Sequence, residues 1–176
     1  GLESRGLGDV YKRQLGKYLE DEGMPLAYHH HMGTIIETQK DTERLIENTH
    51  ESVKLTLDTG HMLFAKGDSK SILQNYHERI LHVHCKDIRK QVLEKSLKED
   101  LSFRGAFLEG AFTVPGDGCI DYQPLFNVLK NNNYSGWLVV EAEQDPAKAN
   151  PLEYAKIGYK YLTDTLKKSE IEIYKN

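Results

Sequence analysis

The stretch ILHVHCKD, residues 80–87, decides the fold. In an extended strand successive side chains point to opposite faces, so residues two apart share a face. Leu81, Val83 and Cys85 fall on one side, and His82, His84 and Lys86 on the other. The same reading applies to three further stretches. In PLAYHHH (25–31), Leu26 and Tyr28 oppose Ala27, His29 and His31; in VKLTLDTGH (53–61), Leu55 and Leu57 oppose Thr56 and Asp58; in GWLVVEAEQD (136–145), Leu138, Val140 and Ala142 oppose Val139, Glu141 and Glu143. Each strand has an apolar face fit to lie under helices, and each opposite face turns polar toward the strand's C-terminal end. In a parallel β/α barrel that polar face is the inner one, and the mouth at that end carries the chemistry.

The segments between these strands read as helices. LGKYLEDEG (15–23) ends at Gly23; TQKDTERLIENTHE (38–51) has Thr38 as a cap; DSKSILQNYHERI (68–80) has Asp68; RKQVLEKSLKED (89–100) is charged and helical. DYQPLFNVLKNNNY (121–134) is capped by Asp121, and NPLEYAKIGYKYLTDTLKK (150–168) opens on Asn150 with Pro151 at the first helical position. SFRGAFLEGAFTVPGDGCID (102–121) is expected to be a long irregular loop. Four alternations of strand and helix predict an α/β protein with a parallel sheet. The opening GLESRGLGDVYKRQ (1–14) has little periodicity and reads as a leader foreign to the fold, so residues 15–176 are taken as the folded unit.

Composition excludes several classes. The 176 residues carry 23 Lys and Arg against 27 Asp and Glu, a net charge of −4 without a basic patch, which argues against nucleic acid. No apolar run approaches the ~20 residues of a membrane helix. Two cysteines, Cys85 and Cys119, fit free thiols in a reducing cytoplasm rather than a disulfide scaffold. The PGDG turn (115–118) lacks the Lys-Ser/Thr of a phosphate loop, so nucleotide binding is rejected.

Four strand ends therefore bring imidazoles and carboxylates to one mouth: His29 or His31, Asp58, His84 and Glu141. A mixed nitrogen and oxygen set suits Mn²⁺, Co²⁺ or Zn²⁺. A single His-x-His on a strand is commonly a hydrogen-bonded pair; four strands ending this way point to a site. His30 has the opposite parity and is expected to be structural, as is Cys85. His82 is expected to be packed below His84. His50 and His77 are expected at the surface of helices, and Lys86 and Asp87 either at the rim or functional.

YHHHMGT, LDTGH, HVHCKD, VPGDGCIDY and WLVVEAEQDPAKANPLEYA together resemble the inosose dehydratases, a family within the xylose-isomerase-like TIM barrels. The resemblance runs from about Leu15 to about Leu162 and covers the later half of such a (β/α)8 barrel, about its last four β/α units. It implies a divalent metal, Mn²⁺ or Co²⁺ with Zn²⁺ as an alternative, held by Asp58, His84, Glu141 and a fourth ligand. That position is usually Glu in the superfamily and reads His29 here, with His31 two residues on. The implied reaction is dehydration of 2-keto-myo-inositol to a trihydroxycyclohexane dione in myo-inositol catabolism. It needs a polarised ketone, a base for the proton α to it and an acid for the departing hydroxyl. Glu141, His61, His31 and Glu143 are the expected catalytic set, and His61, Lys86 and His31 the expected substrate contacts. A ketose epimerase or isomerase on the same scaffold is the alternative, and an inactive half-barrel fragment a third reading. The expected partner is a small cyclic polyol ketone, without nucleic acid or membrane, in a cytoplasmic protein that closes its barrel with a missing half or as a homo-oligomer.

Overall fold

The computed structural model describes residues 14–174. The expected leader, but for Gln14, lies outside them. Helix α1 covers 14–21. It is followed by β1 (Leu26–His29), α2 (Gln39–Glu47), β2 (Val53–Asp58), α3 (Thr59–Phe64), α4 (Ser69–Tyr76) and a 3-10 turn at His77–Arg79. Then come β3 (Ile80–Cys85), β4 (Asp87–Ile88), α5 (Lys90–Lys98), α6 (Phe103–Leu108), β5 (Phe112–Thr113), α7 (Gln123–Asn131), β6 (Trp137–Val140) and α8 (Pro151–Lys168). Strands β1, β2, β3 and β6 form a parallel sheet in that order. This is the alternation read from the sequence. No helix among the described residues is long and apolar enough to cross a membrane.

Strand parity is realised as expected. Leu55, Leu57, Val83 and Cys85 are buried in the main core, against Ile72 of α4 and Phe126 of α7. Leu138 and Val140 of β6 pack on the same core. Burial of this one face supplies the driving force, at ~25 cal/mol per Å² of apolar surface. Cys85 is fully buried and its thiol is pushed up by burial, so it is inert packing.

The caps also hold. Thr38 and Asp41 form a reciprocal capping box, Asp68 accepts from Lys70 N–H, and Asn150 accepts from the N–H groups of Leu152 and Glu153. Asp121 accepts from Gln123 N–H at 3.0 Å, one residue ahead of the assigned cap position.

Three expectations are corrected. Segment 102–121 is not all loop: Ser102 caps α6, and β5 pairs antiparallel with β4. The hydroxyl at Ser102, three residues before the Gly105 N–H it accepts from, starts a helix that the flanking glycines disguise. Thr59–Phe64, which begins inside LDTGH, is a six-residue helix that the sequence reading did not mark, capped by Asp58 Oδ1 accepting from His61 N–H at 2.9 Å. Lys86 and Asp87 are not at the rim, since both are fully buried. His77 also differs from a simple surface residue: it lies in the 3-10 turn and its Nδ1 is buried without a hydrogen-bond partner among the described residues.

Arg79 fastens the N-terminal side of the sheet. Its guanidinium donates to Val53 O at 2.7 and 3.0 Å, Ile46 O at 2.9 Å, His50 O at 3.0 Å and Thr49 Oγ1 at 2.9 Å. It thereby ties the carbonyls after α2 to the start of β2. Replacing it by Ala leaves these acceptors unmet, with an expected loss on the order of 2–3 kcal/mol. Arg79→Lys should recover little, because one ammonium cannot reproduce the planar fork. Denaturant titration of both variants checks this; a change below ~0.5 kcal/mol for Arg79→Ala would contradict the role.

Candidate metal and proton-transfer site

The site rests on the C-terminal ends of β1, β2, β3 and β6. Register sets the heights: Asp58 pairs with His84 and His84 with Val139, while His29 pairs with Thr56, one inward residue below. This stagger separates the two histidines of β1's continuation. His29 Nε2 reaches Asp58 Oδ2 at 3.3 Å, and its ring lies 4.7 Å from that of His84. His31 joins a different group, with His61 and Glu143.

His29, Asp58 and His84 bring one ligand atom each within 4.8 Å of one another. That spacing suits ligands at ~2.0–2.2 Å from one ion. Asp58 has no exposed surface. Burial alone would raise its carboxyl, but hydrogen bonds from His29 and His84 and the charge of Lys86 together hold it well below the usual carboxylate range. His30 supports it from behind, its Nε2 accepting from Asp58 N–H at 3.1 Å. Burial pushes His30 down to about 3, so it stays neutral and structural, as its parity implied. His84 Nδ1 lies 3.5 Å from Asp58 Oδ2. Two imidazoles and a carboxylate gathered at one strand-end mouth are a donor set that fits a borderline divalent cation.

Glu141 differs from expectation in its immediate neighbour. It lies outside the His29–Asp58–His84 group, and its Oε2 is 2.7 Å from Lys86 Nζ. Burial raises the Glu141 carboxyl, against the opposing charge of Lys86.

Lys86 is the hub. Its side chain has no exposed surface, yet Nζ lies 2.7 Å from Glu143 Oε2, 2.7 Å from Glu141 Oε2, 3.4 Å from Asp58 Oδ2 and 2.9 Å from His61 Nε2. Burial would lower its ammonium, but the carboxylates outweigh this and raise it. A Cβ on Gly60 would sit 2.6 Å from Lys86 Cγ, so only glycine lets the lysine stem pass. Thr59 Oγ1 and Tyr122 Oη both donate to Lys86 O, at 2.7 and 2.9 Å, and fix the strand end. The Phe112 ring lies 5.3 Å below the ammonium.

The second group shares this lysine. His61 is fully buried; its Nδ1 accepts from Met32 N–H at 3.3 Å, and its Nε2 lies 3.2 Å from Glu143 Oε2. Burial lowers its pKa, against the raising effect of Glu143. Burial would raise Glu143, but bonds from His61 and Lys86 hold it down at about 2. His31 stacks on His61 with ring centroids 3.7 Å apart. Phe103 of α6 closes over His31 at 5.1 Å. Thr59, Gly60, Tyr122, Phe103 and Phe112 were not singled out from the sequence. The Ser102 cap was the available signal for Phe103, and the other four act through contacts that spacing does not encode.

A family model described as the xylose isomerase-like TIM barrel matches residues 12–165. The chain is 53% identical over 152 residues to the inosose dehydratase of Clostridium beijerinckii, covering 86% of this chain and 51% of that protein. It is 48% identical over 152 residues to the inosose dehydratase of Lactiplantibacillus plantarum, with the same coverage. The chain thus spans about half the length of these relatives. Among solved structures, the IolI protein with a bound zinc atom superimposes with a TM-score of 0.67 at 22% identity, over 92% of this chain and 55% of that one. A xylose isomerase domain protein from Alicyclobacillus acidocaldarius gives 0.66 at 20%, over 90% and 56%. At such identities these structures speak to the fold, and they agree with the parallel sheet. The chain belongs to the xylose isomerase-like TIM barrel family.

Proposed function

We propose that this chain supplies the metal-binding and proton-transfer part of a hydro-lyase that dehydrates 2-keto-myo-inositol to a trihydroxycyclohexane-1,2-dione, in the breakdown of myo-inositol. The observation that carries this reading is the 53% identity to an inosose dehydratase across 152 residues that include every residue of the site described above. The geometry is consistent with it. Loss of water β to a ketone needs a basic group, a proton source for the departing hydroxyl and stabilisation of an enediolate, and imidazoles, carboxylates and an ammonium surround one strand-end mouth here.

The proposed ligands are Asp58, His84, Glu141 and His29, and a divalent cation, Mn²⁺ or Co²⁺ with Zn²⁺ as a third choice, would polarise the ketone when bound. The zinc carried by the IolI structure supports a divalent cation in this fold. Glu141, His61, His31 and Glu143 form the proton-transfer group. Lys86 holds Glu141 and Glu143 ionised and at fixed separation, and places positive charge where the enediolate forms. The reading places the protein in the cytoplasm as a metabolic enzyme.

The assay compares this chain with a chimera that joins the N-terminal half of the Clostridium beijerinckii relative to it, on 2-keto-myo-inositol with Mn²⁺ or Co²⁺. Dione formation in either supports the reading. Its absence in both, with free ketoses epimerised instead, overturns it. Chelation should abolish turnover and Mn²⁺ restore it, and Glu141→Gln should lower kcat by at least ~100-fold; normal turnover in chelator would remove the metal from the reading.

A separate expectation concerns Lys86. Lys86→Met leaves buried carboxylates without their counter-charge and should cost about 3–5 kcal/mol in denaturant titration. Added Mn²⁺ should restore part of that loss. An unchanged stability would mean that the ammonium does not balance these groups.

A further inference from the structure

The carboxylate oxygens offered to a cation at this mouth also hold an ammonium. Asp58 Oδ2 is the atom that His29 Nε2 approaches at 3.3 Å and His84 Nδ1 at 3.5 Å. Lys86 Nζ lies 3.4 Å from that same oxygen. Glu141 Oε2 lies 2.7 Å from Nζ. Both carboxylates of the proposed ligand set are therefore already in contact with a positive charge. An ion bonded to Asp58 Oδ2 at the usual ~2.0–2.2 Å must lie within ~6 Å of the ammonium. Two cations that close repel strongly where water is largely excluded.

An ordinary surface lysine would swing into water when a second cation arrived. Lys86 is built so that it does not. Its side chain has no exposed surface. Its stem runs through the space left by Gly60, where a Cβ would sit 2.6 Å from Lys86 Cγ. Its carbonyl is held by Thr59 Oγ1 at 2.7 Å and Tyr122 Oη at 2.9 Å. The Phe112 ring lies 5.3 Å from Nζ. Glu143 Oε2 at 2.7 Å and His61 Nε2 at 2.9 Å keep the ammonium in the mouth whatever Glu141 does.

We propose that Lys86 is a built-in competitor for the divalent cation: its ammonium shares the Asp58 and Glu141 carboxylates with the metal and so sets how tightly the metal is held. This rests on the ligand set proposed above, and not on the reaction assigned to it. The cation gains Glu141 only as the ammonium gives it up, and Glu143 retains the ammonium nearby. Metal affinity is thereby held below what the same carboxylates and imidazoles would reach alone, and the ion stays exchangeable. In the metal-free chain the ammonium keeps the carboxylates apart and ordered, so the mouth is preformed before the ion enters.

The test is calorimetric titration of this chain and its variants with Mn²⁺, with circular dichroism to follow folding. Lys86→Met and Lys86→Gln should bind Mn²⁺ at least ~10-fold more tightly than the parent. A lysine with a merely structural role would give the opposite sign. Lys130→Met removes the same charge from a pair with Glu170 at the end of α7 and should change affinity less than threefold. Glu141→Gln should weaken binding more in the Lys86→Met background than in the parent, because no ammonium then holds that carboxylate. Equal or weaker binding in the folded Lys86 variants overturns the proposal, as does equal tightening by Lys130→Met or an equal loss from Glu141→Gln in both backgrounds. A Lys86 variant that folds only with Mn²⁺, and unfolds in chelator, supports it, since the ion has taken the place of the ammonium. Variants that both stay unfolded at saturating Mn²⁺ overturn it. The two readings fail differently. Binding by the parent that Lys86 does not influence removes the competition and keeps the ligand set. No binding by the parent or by either Lys86 variant removes both.

Discussion

A buried ammonium holds the mouth of this sheet together. Asp58 ends β2, Glu141 and Glu143 both follow β6, and all three approach Lys86 Nζ within 3.4 Å. Like charges at such separation repel strongly in a medium of low dielectric. With one cation among them they can remain ionised and ordered. Removing a carboxylate or an ammonium from water costs several kcal/mol per ion, and only good geometry with further hydrogen bonds offsets that cost. The further bonds are present: His61 N–H and the ring nitrogens of His29 and His84 reach Asp58, and His61 also reaches Glu143.

Much of the remaining structure can be understood as what keeps that lysine in place. Gly60 leaves room for its stem. Thr59 and Tyr122 hold its carbonyl, so α3 and the start of α7 are both fastened to the end of β3. Asp87, next in sequence, accepts the amides of Ile88 and Ile120 and draws the loop before α7 against β4. Its other oxygen is buried without a partner among the described residues, and burial raises this carboxyl, so the strap is made at some cost. The net positive charge is still short by two against three carboxylates, and a divalent cation between His29, Asp58 and His84 would correct the imbalance. A preorganised set of charges of this kind stabilises developing negative charge without reorganising.

The alternation of apolar and polar residues made the sheet and the composition of the mouth legible. Period-two patterns in residues 53–58 and 80–85 carry their own face assignment, and Asp58 and His84 follow from it directly. The division of His29 from His31 was not legible, because it depends on the register between β1 and β2, which no local pattern specifies. Helix α6 and the β4–β5 pair were hidden by Gly105 and Gly110, whose presence reads as loop even where Ser102 caps a helix. The burial of Lys86 was hidden for a different reason: a lysine at a strand end is ordinarily solvated, and its neighbours arrive from three other segments of the chain.

The most direct measurement of the central claim, that four strand ends form one cation site, is anomalous diffraction from crystals grown with Mn²⁺. The expected result is a single peak bonded by His29, Asp58, His84 and Glu141, with Lys86 turned toward Glu143. A peak held instead by His31, His61 and Glu143, or no peak at saturating Mn²⁺, would contradict it.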